Sequence, residues 1–325
     1  MKFSEISSLY SNKKYTEIVN IVENNQEIKN NEYCKMILGF SYLQLQQPQK
    51  AINCLRNIKT SEQRKYFGEI YRCLGLCEYI LGSYEQSAND FNKSALFGDE
   101  ESVLWKKLLF PESCVIHQTE NVIFRFIGEV DKFEKKLFIM RGLKAYSQIV
   151  NFINKDFTRK KIDVYVYKER IDSIGNPLSY TDNGTKSIHI HYKDFIGHEI
   201  AHALFNSIYP IMQRSVMIDE GIATFFDQPF TLQEYIEKNQ KNIKLFDVFE
   251  YWENSNARTS MHGDYYWLAG AFVGYLIEKF GKKSFLRFIE IQTPSNAEKI
   301  FKQSPKKLVS DFYEILSQYN DNAGT

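Results

Sequence analysis

Residues 194–210 read DFIGHEIAHALFNSIYP, and residues 216–226 read VMIDEGIATFF. The first stretch predicts a helix of about four turns, with Asp194 as its N-cap and Pro210 as its end. His198 and His202 stand at i and i+4, so both imidazoles share one face of that helix, one turn apart. Two imidazoles so placed suit one metal ion. Glu199, next to His198, can reach a water on such an ion without being a ligand itself. The plainer alternative is a core helix with two solvated or hydrogen-bonded histidines. Glu220 follows His202 by 18 residues on a second helical pattern, with the Pro210 turn between them.

Around this stretch lie 325 residues, a length that suggests about two domains. Lys and Arg total 41 against 40 Asp and Glu, a net charge of +1, so there is no basic field for nucleic acid. Hydrophobic residues make up 43%, enough for a sizeable core, which excludes wholesale disorder. No apolar run reaches the ~18 residues of a membrane span. Residues Met1 to Asn20 lack an apolar core followed by a small-residue cleavage site, so no signal peptide is expected, and the expected compartment is the reducing cytoplasm. The five cysteines, Cys34, Cys54, Cys73, Cys77 and Cys114, fall in the first 114 residues. Their odd number argues against a disulfide framework. Cys73 and Cys77, at i and i+4, read as small packing residues rather than a metal or redox pair. Beyond Cys114 a metal must use His, Asp or Glu.

In the N-terminal third, residues 71–94 read YRCLGLCEYILGSYEQSANDFNKS. Tyr71, Leu74, Gly75, Gly82, Tyr84, Ser87, Phe91 and Ser94 carry a pattern that resembles the tetratricopeptide repeat. An earlier stretch, LGFSYLQLQQPQKAINCL, places Leu38, Gly39, Tyr42, Ala51 and Leu55 equivalently, and a weaker copy holds Tyr15, Ile18 and Val22. Each unit would be a pair of amphipathic helices whose small residues allow close approach, stacked on its neighbours. The resemblance implies a concave surface for a peptide or partner helix; a scaffold that only packs is the alternative, as is a plain helical bundle.

Pro111 follows a last helical pattern, Glu100 to Leu109, and marks a break. Cys114 to Gln118 and Val122 to Ile127 read as strands with a turn at Glu120-Asn121. Asp131 to about Phe157 reads as a long helix, Lys161 to Tyr167 as a strand, and Ser187 to Tyr192 as another. Turn signals lie at Gly175-Asn176-Pro177 and Asp182-Asn183-Gly184. His189 and His191 share a face of their strand; they could be ligands, but read rather as paired surface histidines.

Phe205 and Ile208 stand where a metzincin would have Gly and His, so that class is excluded. Met217, Ile218, Asp219, Glu220, Gly221, Ile222, Ala223 and Thr224 instead resemble the aromatic-Leu-Asn-Glu-Gly-Phe-Ala-Thr segment of gluzincins of the thermolysin and aminopeptidase N kind. The resemblance covers roughly residues 112–320. It implies Glu220 as third ligand beside His198 and His202, Glu199 as general base, and Asp219 and Thr224 as residues that orient the ligands. Two imidazoles and one carboxylate favour zinc, one ion per chain. Residues 265–281, YYWLAGAFVGYLIEKFG, predict a helix ended by Gly281. Many gluzincin-like domains place a Tyr just before such a small-residue helix, to hydrogen-bond the oxyanion. Tyr266 fits best, Tyr265 is second, and His262 is a nearby further donor. Residues 160–197 lack the Gly-x-Met-Glu-Asn segment that anchors a substrate amine in aminopeptidases, which points to an endopeptidase or narrow processor. The strand from Ser187 sits where related enzymes pair an edge strand with substrate.

The expected fold class is α+β. All-α tetratricopeptide-like repeats occupy residues 1–110, and a mixed α/β zincin-like metallopeptidase domain occupies 111–325, with a sheet-containing part over 112–208 and a helical part over 209–325. The expected activity is zinc-dependent hydrolysis of peptide bonds in a protein or peptide, with the repeats recruiting substrate or partner or regulating access. The alternative is a catalytically silent zinc-binding adaptor whose repeats bind a protein partner. Neither nucleic acid nor membrane is an expected partner.

Overall fold

A computed structural model describes residues 3–58, 61–154, 161–170, 179–182, 184–209, 213–227, 231–243, 247–253 and 264–322. Many helices and a few short strands place the chain in the α+β class. No helix among the described residues is long and apolar enough to cross a membrane. Contacts divide the chain into two compact units. The first comprises Met1–Glu129, Arg159–Leu178 and Asp182–Ser187; the second comprises Val130–Thr158, Ser179–Thr181 and Ile188–Thr325.

The first unit begins with helices α1 (Phe3–Ser11), α2 (Tyr15–Glu23), α3 (Gln26–Asn30), α4 (Glu32–Gln44), α5 (Pro48–Leu55), α6 (Phe67–Ile80), α7 (Tyr84–Leu96) and α8 (Glu100–Leu109). Asn31 caps α4 by accepting from the Cys34 N–H, and Pro48 opens α5, where a missing N–H costs nothing. Helices α4 and α5 pack together, as do α6 and α7. Gly75 permits the second contact: a Cβ there would sit 3.0 Å from the Phe91 ring. Ser87 donates to the Gly75 carbonyl at 2.7 Å across the same junction. Cys73 and Cys77 lie in the apolar core, and burial pushes the Cys73 thiol up to about 12, as expected of packing residues.

Among the described residues, three strands follow in this unit. β1 (Val115–Gln118) runs antiparallel to β2 (Val122–Ile127), and β3 (Ile162–Tyr167) runs parallel to β2, with Val122 opposite Ile162 and Ile127 opposite Tyr167. The strand expected over KIDVYVY is β3, and all six of its residues are buried. Polar groups on β3 are matched accordingly. Asp163 accepts from Arg125 Nη2 at 2.9 Å, from Arg125 Nε at 3.2 Å and from the Tyr84 hydroxyl at 2.6 Å. The Tyr165 hydroxyl donates to the Leu109 carbonyl at 2.7 Å and receives a hydrogen bond from Tyr79 at 2.9 Å. These bonds join the strands to α6, α7 and α8, so the first unit extends past residue 110.

The second unit holds α9 (Lys132–Ile153), the β4 (Tyr180–Thr181) and β5 (Ile188–His191) hairpin, and helices α10 (Ile196–Ile208), α11 (Val216–Asp227), α12 (Leu232–Asn239), α13 (Val248–Glu253), α14 (Asp264–Phe288), α15 (Pro294–Phe301) and α16 (Pro305–Asn322). Asp131 caps α9, and Asn154 ends it in a left-handed conformation. Helix α14 breaks at Gly281, with φ 78°, where the sequence pattern ends the helix. Every residue from Met217 to Phe226 on α11 is buried. Gly221 is required there, because a Cβ would meet the Ala269 carbonyl oxygen of α14 at 2.5 Å.

Paired surface histidines are not what β5 carries. His189 is 1% exposed and stacked on Tyr180 at 5.0 Å, whereas His191 is half-buried. Burial holds His189 neutral by pushing its pKa down to about 3. The cause is coverage of both faces of β5, where alternation suggests one. Pro210, His262, the turn at Gly175-Asn176-Pro177, and Asn183 lie outside the described residues.

Replacing Asp163 with Asn is expected to lower the unfolding free energy by about 3 kcal/mol, because it leaves the Arg125 charge poorly matched. Urea unfolding measures this, and a loss under about 1 kcal/mol would mean that the pair does not hold the unit together.

Candidate metal centre

Helix α10 is not capped as the sequence suggests. Phe195 occupies the N-cap position without a side-chain bond, and Asp194 instead accepts from the Ser179 hydroxyl at 2.7 Å. The cap comes from a neighbouring helix: Asp227, the last residue of α11, accepts from the His198 N–H at 3.1 Å. This bond ties the start of α10 to the end of α11 and sets the two ligand-bearing helices side by side.

The three proposed ligands converge. His198 Nε2 lies 3.2 Å from Glu220 Oε2, His202 Nε2 lies 3.3 Å from the same oxygen, and the two nitrogens are 3.2 Å apart. Among the described residues these three form a group that could hold a metal ion. The fit can be tested on the edges of the triangle. A tetrahedral ion with bonds of about 2.0–2.1 Å needs ligand atoms about 3.3 Å apart, and the three edges agree. Charge gives a second test. Glu199, Asp219 and Glu220 are all buried, and Arg214 hydrogen-bonds Asp219 at 2.9 Å. Three buried carboxylates gathered beside two imidazoles make a setting that favours a bound cation.

Around the ligands the roles divide unevenly. Asp219 Oδ2 lies 3.6 Å from His202 Nδ1, and Arg214, which also reaches Asn206 at 2.7 Å, fixes it. Thr224 donates to the Glu220 backbone carbonyl at 2.8 Å rather than to a ligand side chain, and it lines the adjacent cavity. That cavity, of about 320 Å³, is bordered by His198, Glu199, Thr224, Tyr266 and Trp267. The Tyr266 ring lies 6.0 Å from that of His198. Tyr265 is buried against Tyr251 at 4.4 Å and does not line the cavity.

Several contributors carry little or no local signal. Thr181, on β4, donates to Glu199 Oε2 at 2.7 Å, and nothing in the sequence around it marks that role. Arg214 and Asn206 matter only once the two helices pack. Asp227 does leave a trace, seven residues after Glu220 on the same helix.

Electrostatics link the ligands. Burial alone would lower the His202 pKa, but the Glu220 and Asp219 carboxylates raise it to about 9. Burial would raise Glu220, yet the two imidazoles hold it well below the usual carboxylate range. The metal-free chain therefore carries His202 as an imidazolium at neutral pH. Its contribution to stability is complete below pH ~6.5 and is lost as pH rises through about 9. Compared with known proteins, the chain matches no family model and gives no significant match to a curated protein.

Metal binding must displace the His202 proton, so apparent affinity is expected to rise about tenfold per pH unit between roughly pH 7 and 9, then level off. Competition with a chromophoric chelator across that range measures it; a flat profile would mean that the proton is not there. In the same assay Asp219→Asn is expected to weaken binding about 10- to 100-fold, and Glu220→Ala to abolish most of it.

Proposed function

We propose that the chain is a zinc-dependent peptidase of the gluzincin kind, acting as an endopeptidase on a protein or peptide. The observation that carries this reading is the triangle of His198, His202 and Glu220, with Glu199 beside His198 in the wall of the adjacent cavity. Zinc is favoured because two imidazoles and a carboxylate form a donor set that suits it. When bound, it would polarise the scissile carbonyl and lower the pKa of water toward about 7.

The chain's own groups supply the rest. Thr181 holds one carboxylate oxygen of Glu199, which fixes the rotamer and leaves the other oxygen to take a proton from the attacking water. Glu199 then delivers that proton to the leaving amine. Tyr266 donates to the negative charge that develops on the carbonyl oxygen. Asp219 keeps the His202 ring in its orientation. In this proposal the N-terminal helices are tetratricopeptide-like repeats that recruit a protein partner or substrate; the Gly75–Phe91 and Ser87–Gly75 contacts support that reading.

Glu199→Gln is expected to keep its metal and to lose peptide hydrolysis by at least about 10²-fold. Tyr266→Phe is expected to lower kcat about 10²-fold with metal content unchanged. A peptide-library digest with and without chelator measures both. Full activity in Glu199→Gln would overturn the base assignment. Zinc at one per chain with no cleavage of any peptide would favour the adaptor alternative.

A further inference from the structure

At the N-terminal end of α10 lies a second cavity, of about 340 Å³, which shares Asp194, Phe195 and Asp227 with the cavity beside the metal ligands. Its remaining wall is strongly cationic. Arg141 and Lys144 come from α9, Lys193 from just before α10, and Lys238 from α12. Among the described residues Arg141, Lys144 and Lys193 make no ion pair, and the Lys193 ammonium rests 5.3 Å from the centre of the Tyr192 ring. The two carboxylates on the shared wall already accept hydrogen bonds, Asp194 from Ser179 and Asp227 from the His198 N–H. A chain with a net charge of +1 thus concentrates four cations against two carboxylates in one concavity, next to its ligand helix. Phe195 is 61% exposed and lines both cavities, an apolar surface shared by the two.

We propose that this cationic cavity receives a carboxylate of the bound peptide, so that the site selects substrates with an acidic group near the scissile bond. The proposal rests on the peptidase reading for its substrate class. The carboxylate has two sources, an Asp or Glu side chain or the peptide's own C-terminus. Charge-assisted hydrogen bonds from Arg141, Lys144 and Lys193 would hold it. Because these side chains are exposed, each contributes modestly and the effect is sensitive to salt.

The test is calorimetric titration of the full-length, zinc-loaded Glu199→Gln chain at low ionic strength. Three short acetylated peptides are compared: one neutral and amidated, the same with a central Glu, and the same neutral peptide with a free C-terminal carboxylate. At least one carboxylate peptide is expected to bind roughly tenfold tighter than the neutral one, and which of the two does so names the source. Adding Arg141→Gln, Lys144→Gln and Lys193→Gln together is expected to erase the preference, with the circular dichroism spectrum and neutral-peptide affinity unchanged. Equal affinities for all three peptides, no measurable binding of any, or a preference that survives the triple substitution would each overturn the proposal. Failure of the peptidase reading shows differently: the wild-type, zinc-loaded chain would leave the peptides uncut while the carboxylate preference persisted.

Discussion

The second unit depends on three carboxylates that its own fold removes from water. Glu199, Asp219 and Glu220 are each less than a tenth exposed, and a charge so placed is tolerated only with a partner. Arg214 answers one of them, Thr181 offers a hydroxyl to another, and the third faces two imidazoles. The pull of the Glu220 and Asp219 carboxylates raises the His202 pKa to about 9. The same helices that bury these carboxylates also bring two nitrogens and an oxygen into one small triangle. Electrostatic need and ligand geometry therefore point to the same place, and neither alone would carry the reading.

The first unit is organised by a comparable, smaller arrangement. Asp163, fully buried on β3, gathers Arg125 from β2 and Tyr84 from α7. Tyr165, two residues on, takes the carbonyl at the end of α8. Strand and helices here share polar partners as well as an apolar core. A chain cut at residue 110 would leave Asp163 and Tyr165 buried without those helical partners, so a truncation meant to free the C-terminal part has to respect this seam.

Much of the site was legible from spacing. Two histidines at i and i+4 share a helix face by periodicity alone, whereas Glu220 was singled out by the resemblance of its segment and reaches them only through the packing of α11 on α10. The fold class was legible from local patterns, as was the break at Gly281. What the sequence hid depends on tertiary packing. The cap of α10 moved from the adjacent Asp194 to Asp227, 29 residues away from His198, because the end of α11 lies against the start of α10. Thr181 reaches Glu199 from a two-residue strand with no pattern to reveal it. His189 reads as a surface residue until both faces of its strand are known to be covered. Of the two adjacent tyrosines, packing places Tyr265 in the core and Tyr266 on the cavity, a distinction that their order in the chain does not make.

Helix α11 has one more consequence. From Met217 to Phe226 it has no solvent-facing side, and at Gly221 its backbone lies directly against that of α14. Glu220 is thus mounted on an element that cannot rock outward without opening the core. A guest at the triangle would therefore come and go on the cavity side, where His198 lies, while Glu220 keeps its place. The carboxylate is the fixed corner of the triangle, and adjustment to a guest of different size falls to the two partly exposed imidazoles.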